Sequence, residues 1–320
     1  MIAVLKPGAL SLLQDLGRYG WQRFGVVVSG AMDQWAHRCA NALVGNADDA
    51  ASLEMTLVGP SLLFRQAQVI ALCGAHLSAR IGAQEVPLNR ALVVRAGARL
   101  DFGPRVSGVR AYLAVRGGFA VEPVLGSRST HVRAGMGGLQ GRALKKGDIL
   151  PTVGGLDDAE QALLGTQDFV RLHRPARVAP VPRSDGRIRI VPGPQWDLFT
   201  EAAHRCLLDS GFRVAAQSDR MGIRLSGVAL EQHQALEMIS QGVTFGAVQV
   251  PADGQPIILM ADRQTTGGYP KIAHVASVDL PRLAQCAPGE RLYFETISLD
   301  TAQALYLERE QALAQWRASL

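Results

Sequence analysis

The chain is poor in aromatic residues and has no concentrated basic tract. Aromatic side chains make up 6% of its 320 residues. The net charge is +5, and the basic residues are scattered along the sequence. Proteins that bind nucleic acid usually combine a basic patch with aromatic side chains on which bases stack. We therefore expect no nucleic acid among the partners of this chain.

Long apolar runs and paired cysteines are also missing. No run approaches the roughly 20 residues of a membrane-spanning helix, and Met1–Gly8 lacks the basic segment that opens a signal peptide. The four cysteines, Cys39, Cys73, Cys206 and Cys286, lie far apart without a Cys-x-x-Cys pair. Isolated thiols of this kind are typical of a reducing compartment. The sequence thus predicts a cytoplasmic protein with no membrane partner.

The common catalytic signatures are absent as well. The sequence has no P-loop, no Gly-x-Gly-x-x-Gly turn and no Gly-x-Ser-x-Gly elbow, and its seven histidines show no metal-ligand spacing. We expect no metal site. Spacing leaves open a triad of Ser129, His131 and a distant aspartate, although no feature favours one. Catalysis in this chain would instead depend on positioning and electrostatics by Asp, Arg, Thr and Lys side chains.

Short apolar runs broken by glycine and proline dominate the sequence. It has 34 glycines and 16 prolines, and strand-like runs alternate with Gly, Pro and Asn between residues 53 and 103. This spacing favours a sandwich or barrel over βαβ units. We predict a mainly β fold with two β-barrel or sandwich-like modules and a few short helices. The predicted boundaries are 1–150 for the first module, 151–187 for a linker, 188–300 for the second module and 301–320 for a C-terminal helix.

Some local patterns permit sharper predictions. Asp33 precedes an apolar stripe and should cap a helix, on which we interpret His37 as a solvated or capping histidine rather than a ligand. Phe24–Val28 and Glu237–Ser240 are predicted strands. Glu54 lies within an apolar strand, so its carboxylate either faces outward or is bonded to a buried group. The pattern does not distinguish these two alternatives.

The densest group of distinct polar side chains is the stretch Asp262–Lys271, which follows the apolar run Pro256–Ala261. Its two glycines permit positive φ, and their N–H groups together with the threonine hydroxyls would form an anion-binding nest. Arg263 and Lys271, the latter one of only four lysines, would add positive charge. A polar β-turn that caps a strand explains the same pattern equally well.

Two further loops are similar to this stretch in composition. Ser127–Thr130 follows a strand and combines three hydroxyls with an arginine, and Ser218–Gly222 precedes another strand. In most proteins a loop such as Ser127–Thr130 would be a solvated turn. The similarity among the three loops is what favours a common function.

Nine stretches, taken in order, resemble one protein family. They are Gln14–Gly20, Ser29–Asp33, Asn41–Asn46, Leu53–Pro60, Tyr112–Gly118, Gly126–Thr130, Pro192–Gln195, Ser218–Gly222 and Asp262–Lys271. Together they are similar to the KipA family, which is also known as the family of the 5-oxoprolinase C subunit or as the allophanate hydrolase subunit 2-like family. The likeness runs from residue 2 to about residue 300 and leaves out the final helix. An ordered series of this length is far more specific than any single motif.

The resemblance implies a cyclophilin-like barrel in the second module and a cytoplasmic protein that works beside a KipI-like partner, the B subunit of 5-oxoprolinase. Together with a LamB/YcsF-like A subunit, such a pair couples ATP hydrolysis to the opening of 5-oxoproline to glutamate. The same two modules are fused in the carboxyltransferase part of urea carboxylase, which uses carboxybiotin. Because this chain has no biotin-attachment Met-Lys-Met, any biotin would arrive on another chain.

Both chemistries involve an activated carbonyl or phosphoryl group and a small amide or lactam, and this sets the roles that we expect. Asp262, Lys271 and Asp219 are the candidate catalytic residues. The residues assigned to substrate or anion binding are Arg263, Gln264, Thr265, Thr266, Gly267, Gly268, Tyr269, Ser218, Arg220, Ser127, Arg128, Ser129 and Thr130. We expect the three loops to converge around one positively charged hollow.

Three functions stay open at this point. The favoured one is a subunit of an ATP-dependent lactamase that acts on 5-oxoproline. The second is a carboxyltransferase subunit that acts on a urea-like amide. The third is a binding protein that antagonises a KipI-like kinase inhibitor and has no turnover of its own.

Overall fold

The computed structural model describes residues 1–172, 186–234 and 238–320. Within these ranges the chain is mainly β, with four sheets and five α-helices, one of them C-terminal, so the predicted fold class is confirmed. No helix in the described ranges has both the length and the apolarity needed to cross a membrane. Residues 173–185 of the predicted linker and Glu237 of the predicted strand Glu237–Ser240 lie outside the described residues.

The chain divides into two compact units. The first comprises Met1–Tyr19, Ser29–Val178 and Gln315–Leu320, and the second comprises Gly20–Val28 and Ala179–Ala314. The module boundaries drawn from the sequence stay predictions, as does the likeness of the second module to cyclophilin.

The first unit contains twelve strands and two helices among its described residues. They are β1 (Ile2–Lys6), β2 (Leu10–Gln14), α1 (Gln34–Leu43), β3 (Ser52–Thr56), β4 (Ser61–Phe64), β5 (Gln68–His76), β6 (Arg80–Ile81), β7 (Gln84–Glu85), β8 (Ala91–Val94), β9 (Arg99–Asp101), β10 (Ser107–Val115), β11 (Ile149–Leu150), α2 (Asp158–Leu164) and β12 (Phe169–Arg171). The strands form two six-stranded sheets, in the orders β11-β1-β4-β9-β6-β7 and β12-β8-β5-β10-β3-β2. Apolar side chains from both sheets, such as Val4, Leu62, Leu53 and Leu113, form one buried core. Successive side chains of a strand point to opposite faces of its sheet, so every second residue contributes to this core, as in a β-sandwich.

Helix α1 covers the outer face of the second sheet, where it packs on β3, β5 and β10. As predicted, Asp33 caps it, and the Oδ1 atom of Asp33 accepts a hydrogen bond of 2.9 Å from the backbone N–H of Ala36. Because α1 covers this face of the sheet, the side chain of Glu54 on β3 is buried and is only 1% exposed. Its carboxylate accepts hydrogen bonds from the Tyr112 hydroxyl at 2.7 Å and from the backbone N–H of Met32 at 2.9 Å. Glu54 is therefore bonded to buried groups rather than facing outward.

The prediction for His37 is wrong, because its side chain is fully buried rather than solvated or at a cap. Its Nδ1 atom lies 2.7 Å from Ser52 Oγ, and its Nε2 atom lies 2.9 Å from the carbonyl oxygen of Asp48. Burial lowers the pKa of His37, since the imidazolium form loses its hydration. The helical stripe placed this residue away from the apolar side, but the residues around Asp48 and Ser52 cover that second side.

The predicted strand Phe24–Val28 is also wrong. A single 3-10 turn spans Gln22–Phe24 and ends at Gly25, whose φ of 79° lies in the left-handed region. No strand hydrogen bonding follows in residues 25–28. The left-handed glycine redirects the chain at the point where the apolar run begins, so the run cannot continue as an extended strand.

The second unit contains ten strands and three helices among its described residues. They are β13 (Ile188–Pro192), α3 (Glu201–Asp209), β14 (Phe212–Val214), β15 (Gly222–Ser226), β16 (Gln241–Gly242), β17 (Ala247–Gln249), β18 (Ile257–Leu259), β19 (Thr266–Gly267), β20 (Lys271–Val275), α4 (Leu280–Ala284), β21 (Arg291–Leu292), β22 (Phe294–Thr296) and α5 (Leu299–Ala318). Eight strands form one sheet in the order β21-β14-β15-β18-β17-β20-β13-β22, and β16 pairs with β19 in a separate ribbon. The edge strands β21 and β22 are separated by the single residue Tyr293, so the sheet curls into a nearly closed barrel.

Candidate functional site

The second unit brings together two of the predicted site residues, Asp262 and Arg220, from separate loops. Asp262 follows β18, and its Oδ2 and Oδ1 atoms accept hydrogen bonds from Arg220 Nε at 2.9 Å and Nη2 at 3.0 Å. The backbone N–H of Asp262 also donates to the carbonyl oxygen of Arg220 at 2.8 Å. Both residues are buried, with exposed fractions of 8% and 6%. Because a two-point pair of this kind fixes both side chains and balances their charges, it holds the two loops in register.

Lys271 begins β20 and is 5% exposed. Its Nζ atom donates a hydrogen bond of 2.8 Å to Oε1 of Gln241, which lies on β16. Within the described part of the chain, no ion pair joins this ammonium to a carboxylate. Lys271 and Arg220 therefore differ in the charge of their partners. The Asp262 carboxylate balances the charge of Arg220, whereas the partner of Lys271 is a neutral amide.

Two further glutamines bond to the segment between residues 264 and 271. Gln195 Oε1 accepts a hydrogen bond of 3.1 Å from the backbone N–H of Lys271. Gln249, which is 1% exposed, donates to the carbonyl oxygen of Tyr269 at 3.2 Å and accepts from Gln264 Nε2 at 3.4 Å. Neutral amides thus position the segment without placing a counter-charge beside Lys271.

The conformation predicted for Gly267 and Gly268 is wrong, because neither glycine has a positive φ. Gly267 lies in β19 and pairs with Gln241, so the predicted nest does not form there. The need for glycine is steric. A Cβ atom at Gly267 would lie 2.7 Å from Gln249 Nε2, and one at Gly268 would lie 3.2 Å from the carbonyl oxygen of Met238.

The remaining predicted residues of this stretch have varied surroundings. Arg263 is half-buried, donates to the carbonyl oxygen of Met260 at 3.2 Å and stacks its guanidinium over the ring of Phe245 at 5.6 Å. Thr266 is exposed, whereas Thr265 is half-buried and accepts a hydrogen bond of 3.1 Å from Val243 through its carbonyl oxygen. Only part of the predicted group is therefore directed to solvent.

A cleft of about 690 Å³ lies beside this stretch, within the second unit. Gly268, Tyr269 and Pro270 form part of its lining, and the Tyr269 side chain is 51% exposed. The rest of the lining is mainly apolar, with carboxylates from Glu231 and Asp253. Its volume suits a small-molecule ligand.

The loop Ser218–Gly222 is organised by Asp219. The Oδ1 atom of this exposed residue accepts hydrogen bonds from the backbone N–H groups of Met221 at 2.7 Å and Gly222 at 3.2 Å. Ser218 Oγ accepts from the backbone N–H of Arg224 at 3.1 Å. These bonds shape the turn that presents Arg220 to Asp262, so Asp219 acts on the loop itself in this structure.

His274 lies on the same strand as Lys271 and was not singled out by the sequence. Its Nδ1 atom is 3.3 Å from Thr244 Oγ1. Burial and the positive charge of Lys271 both lower the pKa of His274. A neutral imidazole therefore lies in the field of the buried ammonium.

The predicted loop of the first unit, Ser127–Thr130, donates hydrogen bonds to the buried carboxylate of Asp15, which was not among the predicted site residues. The Oδ1 atom of Asp15 accepts hydrogen bonds from Ser127 Oγ at 2.7 Å, from Gly17 N–H at 2.8 Å and from Ser129 Oγ. Its Oδ2 atom accepts from the backbone N–H of Arg128. Thr130 Oγ1 donates to the carbonyl oxygen of Leu13 at 3.0 Å. All three hydroxyls of the loop are thus engaged within the protein.

The structure therefore brings some of the predicted site residues together within one unit and bonds others elsewhere. Asp262 and Arg220 form a pair, Lys271 lies within the adjoining segment, and the hydroxyls of Ser127–Thr130 bond to residues of the first unit. The predicted convergence of loops from both units stays a prediction.

The site residues predicted from the sequence do not include Gln195, Gln241, Gln249 and Asp15. A signal for Gln249 existed, since it is an amide inside the apolar run Gly246–Val250 and such a residue needs a buried partner. Gln195 and Asp15 both fall within the stretches that carry the family resemblance. Gln241 has no comparable signal, because its partner lies thirty residues away along the chain.

Comparison with known proteins gives consistent matches across the chain. A profile of the carboxyltransferase domain, subdomains A and B, matches residues 24–296. A protein of Haemophilus influenzae, named as the C subunit of 5-oxoprolinase, is 39% identical over 317 residues, which covers 99% of this chain and 98% of that protein. A protein of Escherichia coli K12 with the same name is 38% identical over 319 residues, with 99% and 98% covered.

A solved structure extends the likeness to the fold. The urea amidolyase of K. lactis superimposes with a TM-score of 0.88 at 32% sequence identity and covers 98% of this chain. The chain spans only 20% of that much longer protein. The matched region is thus one portion of a larger enzyme in that case and nearly the whole polypeptide in the two bacterial cases.

Proposed function

The chain belongs to the carboxyltransferase domain family, subdomains A and B, and on this premise we propose that it is the C subunit of an ATP-dependent 5-oxoprolinase. The observation that carries this proposal is the nearly full-length similarity to two bacterial proteins of that name. The proposed enzyme is a complex with a KipI-like B subunit and a LamB/YcsF-like A subunit. ATP is the cosubstrate of the complex, and 5-oxoproline is opened to glutamate.

The surroundings of Lys271 support a substrate with negative charge. 5-Oxoproline carries a carboxylate, and attack on its lactam places further negative charge on the carbonyl oxygen. A preorganised ammonium in a water-poor site stabilises such charge more than it does in bulk water. Lys271 is buried and meets only a neutral amide among its described partners, so its charge is available to a ligand. We assign the oxyanion role to Lys271.

The Asp262–Arg220 pair has a different role in this proposal. The guanidinium of Arg220 balances the charge of the Asp262 carboxylate, and both carboxylate oxygens already accept hydrogen bonds. Asp262 then serves as a proton acceptor or amide contact only if a ligand displaces part of that pairing. Asp219 is the second candidate for this task, since it is exposed at the neighbouring turn.

The test is reconstitution of this chain with its KipI-like and LamB/YcsF-like partners. We expect glutamate and ADP to form from 5-oxoproline and ATP, and the chain alone to be nearly inactive. Omission of each partner in turn is the control. High activity of the isolated chain would contradict its assignment to a multi-protein complex.

A second candidate function is carboxyl transfer from carboxybiotin, carried on another chain, to a urea-like amide. The observation in its favour is the structural match to urea amidolyase at a TM-score of 0.88. Incubation of the same complex with carboxybiotin and urea separates the two candidates. Carboxylated urea without ATP-dependent glutamate formation would favour the carboxyltransferase, and binding of the KipI-like partner without either reaction would indicate a regulator.

A further inference from the structure

The contact between Lys271 and Gln241 pairs a buried charge with a neutral, exposed residue. Lys271 is 5% exposed, whereas Gln241 is exposed on the short β16–β19 ribbon, and 2.8 Å separates Nζ from Oε1. An ammonium has three N–H donors, and one amide oxygen satisfies only one of them. Removing an ammonium from water is costly unless an opposite charge accompanies it. Among the residues that the structure describes, the charge of Lys271 is thus only partly balanced.

The ionisable groups described on the adjoining segments do not balance this charge. The Asp262 carboxylate is held by two N–H groups of Arg220. His274, on the same strand, has a pKa lowered by burial and by Lys271 itself, so it is neutral and brings no negative charge. Gln195 and Gln249, which position the segment, are uncharged amides.

The geometry points to Gln241 as a neutral placeholder for an anion. We propose that a small oxyanion, such as a carboxylate, displaces the amide oxygen of Gln241 and pairs directly with Lys271. The exchange separates no ion pair, because the displaced group is neutral. Pairing with an anion also adds a Coulomb attraction between opposite charges, which a neutral amide oxygen does not supply. The identification of this anion with the carboxylate of 5-oxoproline rests on the proposed function, but the anion site itself does not.

Two substitutions of Gln241 give opposite expectations. Gln241→Glu places a carboxylate of the same shape beside Lys271, so it should compete with an added anion and weaken its binding by about tenfold or more, which corresponds to about 1.4 kcal/mol. Gln241→Ala removes the placeholder, so anion affinity should be kept or should rise by about threefold or more, in line with the loss of a competing hydrogen bond of about 0.5–1.5 kcal/mol. Lys271→Met should abolish the binding.

The measurement uses the full chain with sulfate as the probe. Because the sequence contains four lysines, carbon-13 lysine labelling gives four Cε resonances, and the one missing from Lys271→Met identifies Lys271. Sulfate titration should shift this resonance in the natural chain and in Gln241→Ala, and much less in Gln241→Glu. Gln311→Glu, on an exposed face of α5, makes the same change in net charge far along the chain and should titrate like the natural chain.

Each outcome decides the inference. It is overturned if Gln241→Glu binds sulfate as tightly as the natural chain, or if Gln241→Ala loses binding. If Lys271→Met does not fold, the Cε resonance that both Gln241 substitutions move identifies Lys271, because Gln241 bonds to its Nζ atom, and the two Gln241 variants still decide the inference. A second titration with 5-oxoproline separates the two proposals. Sulfate binding with the expected dependence on Gln241, together with no effect of 5-oxoproline and no turnover by the complex, leaves the anion site standing and rejects the proposed function.

Discussion

The loops Ser127–Thr130 and Asp262–Lys271 are similar in composition and differ in how their polar groups are used. In the first loop, the hydroxyls bond to Asp15 and to the backbone of β2, all within the first unit. In the second, a buried ammonium bonds to an exposed neutral amide, and Gly268, Tyr269 and Pro270 of the same loop line a cleft of about 690 Å³. The hydroxyls of the first loop all have partners within the fold, whereas the ammonium of the second has no carboxylate partner among the residues described.

This difference shows that a high density of polar groups does not by itself identify a binding site. What matters is whether the partners of those groups are already present in the fold. Asp15 lies 112 residues from Ser127 along the chain, and its carboxylate satisfies the loop. Lys271 has no comparable anionic partner among the described residues. We therefore expect changes in the first loop to lower stability and changes around Lys271 to lower activity.

The largest expected effect on stability concerns the Arg220–Asp262 pair, which is the structural element of the second loop. Arg220→Met leaves a buried carboxylate without its guanidinium and should lower the free energy of unfolding by about 3–5 kcal/mol. Urea denaturation of the purified chain measures it. In the double variant Arg220→Met with Asp262→Leu, most of the loss should be recovered, because no uncompensated charge stays buried. A loss below about 1 kcal/mol, as for an exposed pair, would show that the pair does not anchor the loop.

Lys271→Met tests the functional side of the comparison. We expect kcat/KM of the reconstituted complex to fall by about 10²–10³-fold, the range seen when one oxyanion donor is removed. The free energy of unfolding of the chain should not fall, because an uncompensated buried charge is replaced by an apolar side chain of similar length. Kinetics and urea denaturation on the same preparation measure both quantities. Destabilisation with unchanged activity would reverse our assignment of the two loops.

Asp15→Asn tests the first loop. This change removes the charge that strengthens four hydrogen bonds to Gly17, Ser127, Arg128 and Ser129. The free energy of unfolding should fall by about 1.5–3 kcal/mol, whereas KM for 5-oxoproline should stay unchanged in the folded complex. A raised KM with unchanged stability would mean that the loop contacts the substrate.

The smallest expected effect distinguishes two histidines with lowered pKa values. Burial is the main cause for both, but the charge of Lys271 contributes only for His274. In Lys271→Met, the pKa of His274 should rise toward its ordinary value and that of His37 should not move. Histidine NMR titration of the natural chain and of this variant measures both values, and an unchanged His274 would show that the ammonium does not act on it.

The same lowered pKa values set the sign of the pH dependence of stability. Because the unfolded chain binds protons at these histidines more readily than the folded chain does, the folded state loses stability as the pH falls through about 6.5. Each histidine contributes a slope of at most about 1.4 kcal/mol per pH unit. His37→Gln should make the decrease in unfolding free energy between pH 7 and pH 5 smaller.

Sequence patterns were sufficient for the fold class and for the family. Short apolar runs separated by Gly, Pro and Asn indicated sheets, Asp33 indicated the start of α1, and the nine stretches indicated the family that the profile match confirms. Predictions from sequence patterns were wrong where another segment of the chain covers the residue in the folded protein. His37 is buried by the residues around Asp48 and Ser52, and Gly267 is required by the side chain of Gln249 rather than by a turn.

The groups that are present and the local elements that they favour follow from the amino-acid sequence, because period, caps and turn residues act over a few neighbours. The choice of partner for each polar group depends instead on the folded chain. Hydrogen bonds and ion pairs depend on distances of about 3 Å, and only folding brings Asp15 to Ser129, Arg220 to Asp262 and Gln241 to Lys271. For the same reason we expect an anion site at Lys271 and a structural role for Ser127–Thr130, although the two loops are similar in composition.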